Sequence, residues 1–384
     1  MGRTRGARWG RRLLGAATLL LGLSLLGMKL RYGGGEPYPD AGTAPLVPDG
    51  ALEVLVETPF PPGNVACSPD GRIFYDLHPF AAPERFLDAT LFELVEGEPV
   101  PFPDLAAQPD LAGVLGLTVD RQNRLWTTLP AGIEERPTRV QAFDLATGER
   151  VVDVTFPEGA GPFAQDLRVA PDGATVYLAD TGIFRFTPPA LVVLDVASGR
   201  ARRVLEGHPS LSPQDWVIRT SSGPLKLLFG LLTWSVGVDG LALDADGEWL
   251  AYAAMSHDTA YRVPTRALRD ESLSAAEVAE QIERLGRKPL SDGIELDAAG
   301  NLYLTDVEHG GLDRLTPDGT LETLVRDPRV LWSDGLCLTP DGALLLTDSR
   351  IPAYVTQLLG KPARETVDRA GPHAIYRVKL SKLP

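Results

Sequence analysis

Three aspartates stand immediately before glycine at the start of strand-like segments: Asp239 in Val238-Asp-Gly-Leu, Asp292 in Ser291-Asp-Gly-Ile and Asp334 in Ser333-Asp-Gly-Leu. Asn64 and Asp166 hold the equivalent place one residue later in two further copies of the same segment. Carboxylates brought to one place repel each other, and the repulsion is relieved by binding a cation or by retaining a proton. The functional reading is therefore a divalent-metal or general-base site, with Asp239, Asp292 and Asp334 as metal ligands and Asn64, Asp166, Asp239 and Asp334 as ligand-binding residues. The structural alternative is that Asp before Gly caps a turn by accepting local backbone amides. A second set, Asp76, Asp180, Asp306 and Asp348, closes the partner segments, and here the capping role is preferred. Of five histidines, His257 and His309 follow such segments; His309 is a candidate base beside Asp292, and His257 a candidate ligand-binding residue.

These residues converge only if the chain repeats. Ser291 to Val307 reads as a strand, a tight turn at Ala299-Gly300-Asn301 and a second strand, and the pattern recurs five times around Gly71, Asn123, Gly173, Gly247 and Gly342. Two columns of the first strand are apolar in every copy. One holds Val65, Leu117, Leu167, Leu241, Ile294 and Leu336, the other Cys67, Val119, Val169, Leu243, Leu296 and Leu338. The fifth copy continues into a second hairpin, Gly311 to Val325, so each unit has four antiparallel strands. Turn-to-turn intervals of roughly forty to seventy-five residues then predict a six-bladed β-propeller, an all-β fold. The lone strand Leu52 to Glu57 is expected to complete the last blade, which supplies three strands itself.

In a propeller the first strands line the axis, so the Asp-Gly starts should ring one mouth of the channel. The long connections, Asp76–Asp88, Leu129–Arg139, Thr181–Pro189, Gly207–Gly237 and Ser349–Pro372, should all emerge on that face, where binding usually resides. Leu225 to Trp234 within them is strongly apolar and reads as a lid, a membrane-contacting patch or packing against blade edges. Ser274 to Leu285 carries a capping-box pattern and reads as a helix outside the fourth blade.

Residues 1–31 stand apart. Five arginines precede an uncharged run from Leu13 to Met28, and Lys29 and Arg31 close it, which is the arrangement of an export signal or a retained membrane anchor. No Ala-x-Ala cleavage site follows, and the run is short for a full span, so both readings stand. The protein is expected to be exported: secreted, periplasmic or held on the outer face of the cytoplasmic membrane. Residues 32–50 are rich in Gly and Pro and read as a linker, leaving 51–384 as the propeller. Formal net charge is −14; without the seven basic residues of the leader, 30 basic residues face 51 acidic ones. Such a body repels phosphate backbones, which argues against nucleic-acid partners. Cys67 and Cys337 fall out of phase in their hairpins and are expected as two buried thiols. Gly-x-Ser-x-Gly, His-Glu-x-x-His, Cys-x-x-Cys and phosphate-binding glycine loops are all absent, leaving serine-hydrolase and nucleotide chemistry without support.

Several stretches carry a family resemblance: Ala201-Arg-Arg-Val-Leu-Glu-Gly-His-Pro-Ser210, Tyr261-Arg-Val-Pro-Thr-Arg-Ala-Leu268, Lys288-Pro-Leu-Ser-Asp-Gly-Ile294 and Leu331-Trp-Ser-Asp-Gly335. From about Phe163 to Leu380 the chain resembles the major royal jelly protein and Yellow family. That resemblance implies a six-bladed propeller, secretion, and either binding of a small molecule such as an amine or a dopachrome-type isomerisation. More distantly it is similar to the regucalcin and gluconolactonase propellers, whose central metal is held by a Glu and by Asn or Asp at blade starts. Asp292 matches that family's metal-binding Asp, and Asp239 sits where the family has Asn. Gly63 stands near the place of the Glu and Leu115 at that of another Asn, leaving Asn64 and Asp334 to compensate. Two functions follow: an exported propeller binding a small molecule at the channel mouth, or a lactonase or isomerase using Ca2+ or another divalent metal.

Overall fold

The structure is a computed structural model describing residues 3–48, 50–133, 136–182, 184–355 and 360–380, without the side chains of residues 3–12. Parts of the loops Leu129–Arg139, Thr181–Pro189 and Ser349–Pro372, and the last four residues of the 51–384 propeller, thus lie outside the described residues. Six four-stranded antiparallel sheets form the propeller. Their innermost strands are Pro62–Cys67, Gly116–Val119, Ala164–Val169, Val238–Leu243, Ile294–Leu296 and Ser333–Leu338. Each touches the next around the axis, and the sixth touches the first. The sixth sheet is completed from outside by Glu53–Thr58, paired antiparallel with His373–Lys379, as the lone strand predicts.

Local chemistry explains the repetition. All six turn residues have left-handed backbone, with φ between 59° and 90°; five are glycine and the sixth is Asn123, the side chain best suited to that region. The glycine after each strand-start aspartate has a different cause. A Cβ on Gly240 would lie 2.7 Å from the Asp292 carbonyl, on Gly293 2.3 Å from that of Asp334, and on Gly335 2.8 Å from the Asn64 Cα. Near the axis adjacent blades approach too closely for any side chain there. The Asp-Gly column is therefore set by crowding at the glycine, with the aspartate left facing the channel.

Two expectations change. Cys67 and Cys337 are joined in a disulfide, with Cα atoms 5.7 Å apart. Opposite phase separates side chains within one sheet, but in neighbouring blades the facing surfaces are opposite faces, so opposite phase brings the two sulfurs together across the seam between blades one and six. The helix predicted over Ser274 to Leu285 is cut short: Ser274 does form a capping box with Glu277, but the helix is Ala275–Ala279 and Leu285 belongs to the outer strand Glu283–Arg287. Completing a four-stranded sheet overrides the helical spacing.

The 32–50 segment is fastened to the propeller. Glu36–Pro37 pairs in parallel with Trp216–Val217, and Leu46 and Val47 donate to the carbonyls of Thr323 and Leu324. The Tyr38 ring is buried, its hydroxyl donating to the Lys288 carbonyl at 2.6 Å. Ahead of it a helix covers Arg3–Tyr32; Leu13–Tyr32 is long and apolar enough to cross a membrane, and none of its most apolar stretch is buried against the protein.

Candidate functional site

Four of the strand-start side chains, Asn64, Asp239, Asp292 and Asp334, line one cavity of about 440 Å3 at the loop-bearing mouth of the channel. Its walls come from all five long connections: Phe80, Ile133, Phe184, Trp234 and Tyr354 represent one each. The rim is aromatic, with Trp234 edge-on to Phe184 at 5.2 Å between ring centres and to Phe80 at 6.3 Å. The floor is acidic. Farther down, Arg168 reaches across the axis from blade three to the Ile294 carbonyl of blade five at 3.2 Å and pairs with Asp166 at 2.8 Å.

Each carboxylate is placed by its neighbours. Asp292 accepts the Trp332 indole N–H at 2.8 Å on Oδ2, and its amide donates to Thr305 at 2.9 Å, so the next blade and its own second strand fix it. Both oxygens of Asp239 and Oδ2 of Asp334 are buried with no hydrogen-bond partner among the described residues. Unpaired buried carboxylates are costly as anions. Desolvation, then the charges of Asp292 and Asp334, hold Asp239 well above the usual carboxylate range; Asp334 is raised by desolvation and by Asp292. Desolvation pushes Asp292 up to about 7, tempered by the Trp332 bond. The floor therefore retains protons to higher pH than free carboxylates do, with Asp292 titrating at about 7.

His78, which the sequence reading passed over, belongs to the same cavity. Its Nδ1 accepts the Phe80 amide at 3.2 Å, capping the turn Pro79–Ala81, and this leaves the proton on Nε2, 3.8 Å from Asp334 Oδ2. Burial lowers its pKa to about 3, so the ring is neutral. A lone His in an aperiodic loop carries no sequence signal; only the direction of the strands places that loop over the mouth.

The other candidates lie elsewhere. Asp166 is occupied by the amides of Leu167 and Leu241 and by Arg168, and does not line the cavity. His257 Nδ1 accepts the Thr259 amide, and its ring meets Tyr261 edge-on outside the cavity. His309 is bound through Nδ1 to Asp306 at 2.7 Å and lies 3.9 Å from Asp40 of the 32–50 segment, also outside the cavity. The strand-end aspartates cap: Asp76 accepts the Asn64 amide, Asp180 that of Phe163, and Asp348 those of Leu331 and Trp332.

As a metal site the arrangement fits poorly. No three His, Cys, Asp or Glu side chains among the described residues are gathered closely enough to hold one ion, and Asp292 Oδ2 is committed to an indole donor.

Comparison with known proteins accords with the six-bladed fold. A family model described as "Major royal jelly protein" matches residues 112–354, well over half the chain and the span that holds Asp239, Asp292 and Asp334. The chain belongs to the major royal jelly protein family. No curated protein matches it in sequence. Among solved structures, this royal jelly family member is similar to a calcium-binding regucalcin from Agrobacterium tumefaciens, at 16% identity over 87% of this chain and 95% of that one, with a TM-score of 0.52. It is also similar to a gluconolactonase from Xanthomonas campestris, at 15% identity over 90% and 98%, with a TM-score of 0.54. At such identities the likeness concerns the fold alone.

Proposed function

We propose that this royal jelly family propeller binds a small molecule in the channel mouth, its apolar or aromatic body against Phe80, Phe163, Trp234 and Tyr354 and a hydrogen-bond-donating, preferentially cationic end on Asp239 and Asp334. The observation that carries the reading is the pair of Asp239 oxygens, buried and without a partner among the described residues, at the floor of a cavity with an apolar rim. A donor that reaches them repays a desolvation cost the folded protein already bears. Thermal shift on wild type and Asp239→Asn with lactones, catechols and aromatic amines tests it, because a ligand of the native state must raise Tm. An amine that stabilises wild type and has little effect on the variant is expected. Amines that leave wild type unmoved, or stabilise both proteins equally, overturn it.

A second reading, proton-transfer catalysis of the isomerase or lactonase kind, is favoured by Asp292. A carboxyl with a pKa near 7 serves as a base at neutral pH, while a protonated Asp334 or Asp239 beside it returns a proton. No step is assigned to a metal, given the poor fit of the donors. Turnover of a lactone or dopachrome that is abolished in Asp292→Asn, with binding retained, distinguishes this reading; unchanged turnover removes it.

A further inference from the structure

Phe229 stands at the tip of the hairpin made by Lys226–Leu227 and Leu232–Thr233, and its ring is fully exposed. Nothing in the fold requires that. Leu225, Leu227, Leu232 and Trp234 of the same segment are buried, and the tip is held by two consecutive non-glycine residues with left-handed backbone, Leu228 at φ 48° and Phe229 at φ 57°. Such a conformation persists only where the surroundings enforce it.

The surroundings here include the end of the apolar helix. Lys226 Nζ donates to the Gly33 carbonyl at 3.1 Å, and Thr233 Oγ1 to that of Gly34 at 2.7 Å. Gly33 is packed so tightly on the hairpin that a Cβ would come within 2.5 Å of the Gly230 carbonyl. Tyr32 meets Phe186, a second exposed aromatic side chain, at 4.6 Å between ring centres. The helix end, the Phe229 tip and Phe186 thus form one unit, and the Glu36–Pro37 pairing with Trp216–Val217 fixes it to the propeller.

The helix over Leu13–Tyr32 is about 30 Å long, and its uncharged part, Leu13–Met28, spans about 24 Å of a hydrocarbon core about 30 Å thick, with the flanking long basic side chains able to reach the headgroups. Lys29, Arg31 and Tyr32 at its end are the residue types that sit among lipid headgroups. With this helix retained as an anchor, on which the inference rests, Phe229 and Phe186 lie at headgroup depth. We infer that the 226–233 hairpin tip and Phe186 dock into the lipid interface of the membrane that holds the helix. A lipid surface fits this unit because the exposed aromatics adjoin a helix long and apolar enough to span a membrane, and the hairpin is hydrogen-bonded to Gly33 and Gly34 directly after it. The cavity mouth, whose rim residues Phe184 and Trp234 flank these elements, is then held beside the membrane.

The two cysteines of the chain are joined to each other, so a single introduced cysteine can be labelled alone. The full-length chain is prepared as Phe229→Cys, and as Ala299→Cys on the exposed turn at the opposite end of the propeller, each labelled with a polarity-sensitive nitrobenzoxadiazole. Both are reconstituted in vesicles of phosphatidylcholine and phosphatidylglycerol with or without lipid spin-labelled near the headgroup, and protein that co-floats is read. The expected result is blue-shifted emission at position 229, quenched several-fold more strongly by the spin-labelled lipid than at position 299. Equal, water-like emission at both positions overturns the inference, as does failure to co-float. So does a blue shift at 229 without lipid quenching, which would mean that protein covers the tip.

Discussion

Replacing Asp292 by Asn tests the acidic floor through stability. The free carboxyl titrates at 3.8 and the native one at about 7, so the native state holds the Asp292 proton more tightly over about three pH units. At about 1.4 kcal/mol per unit this amounts to about 4 kcal/mol. Below pH 4 the carboxyl is neutral folded and unfolded, and its contribution is fully present. As pH rises towards 7 the unfolded state releases its proton first, and that stability is lost. The asparagine of the variant keeps an oxygen for the Trp332 indole and has no proton to lose. Its neutrality also relieves Asp239 and Asp334, both raised in part by the charge of Asp292, which adds in the same direction. His78, lowered to about 3, gives the opposite slope between pH 3 and 6.5, but in both proteins, so it cancels in the difference. Urea unfolding of wild type and Asp292→Asn from pH 4 to 8 should show the variant gaining about 2 to 4 kcal/mol relative to wild type across that range. A difference that stays constant with pH would refute the electrostatic account of the floor.

Three further outcomes follow from how the ring is built. Cys67→Ser should cost about 2 to 5 kcal/mol by releasing a link between residues 270 apart, read as a lower urea midpoint with the fold's circular dichroism kept. Gly293→Ala should cost more than about 2 kcal/mol, because its methyl group would stand 2.3 Å from the Asp334 carbonyl; an equally stable variant would contradict the crowding explanation of the Asp-Gly column. Deleting Glu53–Thr58 should leave the outer edge of His373–Lys379 unpaired, so that limited proteolysis cuts blade six first; an unchanged cleavage pattern would contradict closure by that strand.

The blades were legible because their signal is periodic: two apolar columns and a turn residue recur at every hairpin, and the ring follows from the count. The acidic floor was legible for a related reason, since crowding at Gly240, Gly293 and Gly335 repeats the Asp-Gly pair. The other half of the cavity was not. His78, Phe80, Trp234 and Tyr354 come from connections of unlike length and sequence, and only the assembled ring brings them together. The disulfide was not legible, because opposite phase separates side chains within a sheet but brings them together between neighbouring blades, whose facing surfaces are reversed. The 32–50 segment reads as a linker because its attachment is made of scattered contacts, the buried Tyr38, the Asp40 pair with Arg326, the Thr43 bonds with Thr323 and backbone pairing, none of which leaves a period.

The central claim is that the buried Asp239 carboxyl, with its raised pKa, is the acceptor for an incoming ligand, and proton accounting during binding tests it most directly. An aromatic amine titrated calorimetrically at pH 7 in two buffers of different ionisation enthalpy should bind with net proton release, because a cation beside Asp239 lowers its raised pKa. The same amine should bind at least about tenfold more weakly to Asp239→Asn. Binding with no proton exchange and with unchanged affinity in the variant would contradict the account.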